Sequence, residues 1–242
     1  MKALILAAGL GTRLAPITDN VPKSLVPVNG KPIIFKQIEN LMENDISDIT
    51  IISGYKSDVL EKTVHEKWTN IRFARSINYA DTNNMYSAYL GIKSMYGSGK
   101  IEPFIMMNAD VFFDASVIKT LINCTASNAI VVDIGKYNEE SMKVVEKEGR
   151  LVAISKKITE EDALGSSIDI YKFDSEGGKV FFDHCVKFIE KEKEVKLWSE
   201  VAINEALLEV KFTACPLNGR WFEIDDHDDL IAAELIFNEE KQ

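Results

Sequence analysis

Cysteine is scarce: Cys124, Cys185 and Cys215 are odd in number and widely separated, which excludes a disulfide framework or a zinc site and predicts a reducing compartment. Long apolar runs are missing too, since none approaches the roughly 18 consecutive residues of a membrane span. The opening apolar run meets glycine at Gly9, too soon for a signal-peptide core and its cleavage region. Positive charge is in deficit, with 28 Lys and Arg against 38 Asp and Glu and a net charge of -10. Such a field repels polyanions and argues against a nucleic-acid partner, while leaving room for a small anion held by a few local cations. Two phosphate-binding patterns are absent: G-x-G-x-x-G fails because position 14 is Leu14, and G-x-x-x-x-G-K-[ST] does not occur. With no repeat and no low-complexity linker, the 242 residues are expected to form one cytoplasmic unit with no membrane partner.

What is present alternates. "KALILAA" (2–8) reads as a buried parallel strand, and "PIIFKQIENLMEND" follows at helical period with Ile34, Ile38, Leu41 and Met42 on one side. "DITIISGY", "NIRFARSI" and "PFIMMNAD" read as further strands, separated by the helices "SDVLEKTVHEKW" and "TNNMYSAYLGIKSMY". Strands alternating with helices predict a doubly wound, mainly parallel sheet. After about residue 128 the chain turns β-rich in "NAIVVDIG", "MKVVEKEG", "RLVAISKK" and "SSIDIYKF", expected as an antiparallel extension of the sheet or a lid over it. "GGKVFFDHCVKFIEKEKE" and "LWSEVAINEALLE" read as helices, "VKFTACPL" and "RWFEID" as extended, and "HDDLIAAELIFNEEKQ" as a last helix.

The first strand ends in "AAGLGTR", and in such sheets ligands bind beyond the carboxyl ends of strands. Glycine there lets backbone N–H groups approach phosphate oxygens, with Arg13 and Lys23 as cations; a plain tight turn has the same look. Asp110 ends the apolar "FIMMNAD", as a metal ligand or as a solvated strand end. In an extended "WFEID", Glu223 and Asp225 share a face and repel unless a cation lies between them; Asp225 or Asp226 could instead cap the helix near His227.

The stretch "LAAGLGTRLAPITDNVPKSLVPVNGKPII" resembles the N-terminal signature of the nucleotidyltransferases that make nucleotide sugars and CDP-alcohols. It shares L-A-A-G-x-G-T-R, P-x-T, P-K and V-x-G-K-P. The resemblance implies a Rossmann-like, GT-A-like fold and a loop that binds the triphosphate and base: Leu6, Ala7, Ala8, Gly9, Gly11, Thr12, Arg13 and Lys23, with Arg13 and Lys23 catalytic. It also implies that an aspartate after the fourth strand and a late W-x-[DE]-[IV]-[DN] segment hold a catalytic Mg²⁺, here Asp110 and Asp225 with Glu223 as a third ligand.

"NYADTNNMYSAYLG" is similar to the Y-x-x-T-N-N-x-Y-S motif of bacterial phosphocholine and 2-aminoethylphosphonate cytidylyltransferases, which implies CTP as the nucleotide and adds Tyr79, Asn84 and Ser87 to its site. On a helix starting near Thr82, Asn83, Asn84 and Ser87 lie near an N-terminus suited to an anion or a base edge; capping by Asp81 or Thr82 explains one of these residues. "AISKKITEEDALGSSIDIYKF" is partly similar to the acceptor region of the phosphonate enzymes, departing at Ser155, Ser166 and Asp169. Lys157, Asp169 and Tyr171 are the candidate acceptor residues, and Lys156 and Lys157 equally fit a solvated strand end. Tyr171 and Trp198 are candidates for caging a quaternary ammonium, and the three histidines carry no partner pattern.

The expectation is thus one nucleotidyltransferase domain, residues 1–127 binding nucleotide and 128–242 binding acceptor and completing the metal site. It joins CTP to a small phosphorylated or phosphonylated acceptor of the phosphocholine, aminoethylphosphonate or polyol phosphate class. Alternatives are a sugar-1-phosphate enzyme using UTP, dTTP or GTP, and a nucleotide-binding regulatory module. Monomer and homo-oligomer both remain open.

Overall fold

The computed structural model describes residues 1–238. The chain runs through β1 (Lys2–Ala7), a short hairpin of β2 (Pro27–Val28) and β3 (Lys31–Pro32), α1 (Ile33–Glu43), β4 (Ile49–Ser53) and α2 (Ser57–His65). Next come β5 (Arg72–Arg75), α3 (Asn84–Tyr96), β6 (Phe104–Asn108), β7 (Val111–Phe113) and α4 (Ala115–Asn123). The later half holds β8 (Ala129–Ile134), β9 (Lys143–Lys147), β10 (Arg150–Ser155), β11 (Gly165–Phe173), α5 (Ser175–Val186), α6 (Ser199–Glu209), β12 (Thr213–Pro216), β13 (Trp221–Glu223) and α7 (His227–Ile236).

β1 is apolar on both faces because both are covered. Leu4 and Leu6 pack with residues of α3, α5 and α6, whereas Ala3, Ile5 and Ala7 pack with residues of α1, α2 and α4. A strand buried on both sides needs no polar alternation. β1 pairs in parallel with β4 on one side and β6 on the other, and β5 extends the β4 edge in parallel. The chain thus moves from β1 outward one way and then returns to its other side, the switch point at which such sheets bind ligands.

The β-rich half joins the same sheet. β11 lies antiparallel to β6 and β8, β9 and β10 pair antiparallel, and β12 adds in parallel to β8. Of the two expected arrangements, the structure shows the sheet extension. A third apolar cluster (Leu14, Val26, Val28, Ile33, Phe112, Ile224, Ala233 and Phe237) ties α7 and the segment after β13 to the N-terminal turns.

Several boundaries differ from the sequence reading. That reading assigns nothing to 111–127, where the structure places β7 and α4. α3 starts at Asn84 rather than near Thr82, because Asn83 is the N-cap and its side chain accepts from the Asn84 N–H. α5 runs on into a π-helical turn over Lys187–Lys191. The last helix closes at Ile236, and 239–242, which the sequence reading includes in it, lie outside the described residues. Among the described residues no helix is long and apolar enough to cross a membrane.

Candidate active site

The glycine turn is built on a backbone only glycine adopts readily. Gly11 has φ +63°, and a Cβ there would lie 2.8 Å from Cβ of Lys23 and 3.3 Å from Cγ2 of Thr18. Thr18 donates its hydroxyl to the Gly11 carbonyl at 2.9 Å. Gly11 therefore lets the loop fold back against Lys23. Gly9 differs: nothing lies within 4 Å of the position its Cβ would take, so its backbone faces open space.

Lys23 sits in a tight turn over Lys23–Leu25, anchored by the buried Leu25 and Val26. Its ammonium donates to Asp110 Oδ2 at 2.8 Å and to Asp225 Oδ1 at 2.6 Å. Arg13 pairs with the other Asp225 oxygen, Oδ2, at 2.7 Å. Burial opposes the charge on Lys23, but the two aspartates outweigh it and raise its pKa. Burial would likewise lift Asp225; Lys23 and then Arg13 overcome that and hold its carboxyl below the usual range.

Asp110 occupies the turn between β6 and β7. Gln37 of α1, fully buried, grips that turn by donating to the carbonyls of Asn108 at 2.9 Å and Val111 at 2.8 Å. Asn40, one helical turn on, donates to the Phe113 carbonyl at 2.7 Å. β13 then zips antiparallel along β7, pairing Trp221 with Phe113, Phe222 with Phe112 and Glu223 with Val111. Beyond it, the Ile224 N–H donates to the Asp110 carbonyl at 2.9 Å. This register brings residues more than a hundred positions apart together, and carboxylate oxygens of Asp110, Glu223 and Asp225 fall within 4.8 Å of one another.

Three carboxylates are the hard oxygen donors that Mg²⁺ takes. Asp110 Oδ1 is buried and has no hydrogen-bond partner, an unmet demand that a cation would satisfy. Glu223 keeps open surface toward the cleft, yet the surrounding walls thin its hydration. With Asp110 and Asp225 adding repulsion, its carboxyl is pushed up to about 7. The donor set fits a divalent ion.

These groups line a cleft of about 380 Å³ beyond the carboxyl ends of β1 and β6. Leu6, Ala7, Ala8, Gly9, Arg13, Lys23, Tyr79, Asn84 and Ser87 face it, as do the three acids and Asp169. Gly11 and Thr12 do not line it; Gly11 shapes the turn and Thr12 is exposed outside. Lys157 is exposed and off the cleft, whereas Lys156, its neighbour in the turn after β10, lines it. Tyr171 is 1% exposed and stands behind the lining, hydrogen-bonded to Asp169 and Glu200. Of the paired asparagines, Asn83 caps α3, while the Asn84 side chain accepts from the Ser199 N–H at 2.8 Å, joining the starts of α3 and α6.

Sequence reasoning passed over Glu200, Gln37, Asn108 and Trp221. Glu200 shares the buried stripe of α6 with Ile203 and Leu207, and Gln37 that of α1 with Ile34, Ile38 and Leu41. A polar residue on an apolar helical stripe was the available signal.

Residues 2–240 match the model of the nucleotidyl transferase family. The chain belongs to that family. Among its relatives, a choline-phosphate cytidylyltransferase of Streptococcus pneumoniae is 54% identical over 90 residues, 37% of this chain and 38% of that protein. The match thus spans well under half of that relative's length. A CTP:phosphoglutamine cytidylyltransferase of Campylobacter jejuni is 27% identical over 253 residues, covering 95% of this chain and 98% of that protein. The solved structure of CTP:phosphocholine cytidylyltransferase from Streptococcus pneumoniae superposes with a TM-score of 0.78 at 28% identity, covering 98% of this nucleotidyl transferase and 99% of that chain.

Proposed function

We propose that this nucleotidyl transferase couples CTP to a small phosphorylated or phosphonylated acceptor, releasing pyrophosphate. Residues 1–127 would hold the nucleotide, and 128–242 would seat the acceptor and complete the metal site. The observation that carries the reading is the meeting of Lys23 and Arg13 with Asp110, Glu223 and Asp225 beside the exposed backbone of Gly9. The two cytidylyltransferase relatives support CTP as the nucleotide.

An acceptor phosphate or phosphonate oxygen attacks the α-phosphorus in line as pyrophosphate departs, so the protein supplies position and charge rather than a nucleophile. Arg13 and Lys23 offset the charge that gathers on the triphosphate. Lys23 donates two of its three N–H bonds to Asp110 and Asp225, and the third is available to a phosphate oxygen. Asp110, Glu223 and Asp225 would hold Mg²⁺, whose chemistry is to draw charge from phosphate oxygens.

The test is pyrophosphate release across CTP, UTP, dTTP and GTP, each with phosphocholine, aminoethylphosphonate, polyol phosphates and sugar 1-phosphates. CTP with a non-sugar acceptor is expected to dominate, and a preference for UTP, dTTP or GTP with a sugar 1-phosphate would overturn the reading. Lys23→Ala and Asp110→Ala should each lower turnover about a hundredfold or more while circular dichroism stays native.

A further inference from the structure

The three cysteines, far apart in the chain, are not equivalent in the fold. Cys185 is fully buried on α5, against the face of the sheet that packs α3 and α6. Cys124 closes α4 and Cys215 lies on β12, both in the apolar cluster of the opposite face. There the Cys124 and Cys215 thiols are within hydrogen-bonding reach of each other. The Lys172 ammonium stands beside the pair and donates to the Cys124 carbonyl at 2.9 Å.

Local structure explains the meeting. Ser116, Thr120 and Cys124 recur every four residues and so share one stripe of α4 and its C-cap. The segment leaving β12 runs antiparallel to that stripe. Ser116 donates its hydroxyl to the Asn218 carbonyl at 2.8 Å, and Asn218 Nδ2 donates to Thr120 Oγ1 at 3.2 Å. Further along, Arg220 donates from Nε and Nη2 to the Asp114 carboxylate, both at 3.0 Å. The strip then becomes β13 and carries Glu223 to the cleft. Cys124 and Cys215 are therefore the far rung of a ladder whose near rungs place an acid of the site.

We propose that Cys124 and Cys215 form a modification site, a dithiol that a low-molecular-weight disulfide oxidises to an intramolecular disulfide, tying this ladder shut. The reagent enters at Cys124, because it is partly exposed while Cys185 and Cys215 are buried. Its thiolate attacks one sulfur of R–S–S–R, forming a mixed disulfide and expelling RS⁻, which takes up the proton that Cys124 gave to solvent. Cys215 then loses its proton and attacks Cys124 Sγ, forming the Cys124–Cys215 bond and expelling the second RS⁻. Two protein thiols are oxidised, and one small disulfide is reduced to two thiols. Burial and then repulsion from Cys124 push the Cys215 thiol up to about 12, while the Lys172 ammonium draws it down. In the mixed disulfide Cys124 carries no charge, so that repulsion is gone when Cys215 acts.

Native protein is to be incubated with oxidised glutathione, quenched in acid and denatured. A chromogenic thiol reagent should then count one thiol, against three before oxidation. Mass mapping should join the peptides holding Cys124 and Cys215, with the loss of two hydrogens. Closing so long a loop should raise the melting temperature by about 5 °C or more, and a thiol reductant should reverse the rise. Amide exchange across 217–223 should slow in the same step. Cys124→Ala should keep both of its thiols, Cys215→Ala should stop at a glutathione adduct on Cys124, and Cys185→Ala should still form the link. Three free thiols in the treated parent, an adduct that stops at Cys124 there, a link through Cys185 or an unmoved melting temperature would each overturn the inference. None of these outcomes bears on the choice of nucleotide.

Discussion

Glu223 shows how one side chain couples the cleft to pH. Its carboxyl is lifted from 4.5 to about 7 by thinned hydration and by Asp110 and Asp225. The folded protein therefore favours the neutral form, and that contribution to stability is full below about pH 4.5 and lost as pH climbs through about 7. The melting temperature of the metal-free protein is expected to fall from about pH 5 to about pH 8, and Glu223→Gln should flatten part of that fall. Mg²⁺ needs the ionised carboxylate, so its affinity should rise across the same window. Scanning calorimetry with and without the ion reads both slopes.

At the scale of elements, Asp225 is placed by the structures on either side of it. β13 sets its height against Asp110, and α7 begins two residues later with a capping box. The Asp226 side chain accepts from the Asp229 N–H, and Asp229 Oδ2 accepts from the N–H groups of Asp225 at 3.0 Å and Asp226 at 3.3 Å. The cap therefore grips the backbone of a proposed metal ligand. Asp226→Ala should cost about 1 kcal/mol, roughly 2–4 °C in Tm, and should weaken Mg²⁺ binding more than CTP binding. Asp226→Asn, which keeps a capping oxygen, should restore most of both. Equal Mg²⁺ affinity in Asp226→Ala and the parent would show that the cap does not position Asp225.

For the molecule as a whole, ligand binding should appear as stability, because the cleft is walled by segments from both ends of the chain. At a hundredfold excess over Kd, CTP with Mg²⁺ should add about 2.7 kcal/mol, roughly 5–10 °C for a domain of this size. A chelator should remove the metal-dependent part. UTP, GTP and dTTP are expected to give smaller shifts at equal concentration, and a larger shift with any of them would count against CTP.

Local pattern was enough for β1, α1, β4 and the β-rich half, since burial on one or both faces writes its period into the residues. The glycine turn, the two cations and the three acids were singled out by the resemblance of their motifs to the nucleotidyltransferase signature, since the residues alone fit a plain turn, a solvated strand end and a helix cap as well. The stretch 111–127 was harder: "VFF" is too short for a strand to declare itself, although it holds the β7 register on which Glu223 depends. Lys157 stands one residue from Lys156 and Tyr171 two residues from Asp169, both of which line the cleft, and tertiary placement rather than composition decides which of them does.

The sequence by itself determined the doubly wound core through its periodicity, and the resemblance of its motifs picked out the cations and acids that meet in the cleft. Only the tertiary structure decided that Lys23 lies between Asp110 and Asp225, and that Glu200 meets Asp169 across Tyr171. Those contacts span from 29 to 202 positions in the chain where they cross elements, and strand register and helix docking, rather than local preference, set which side chains arrive together.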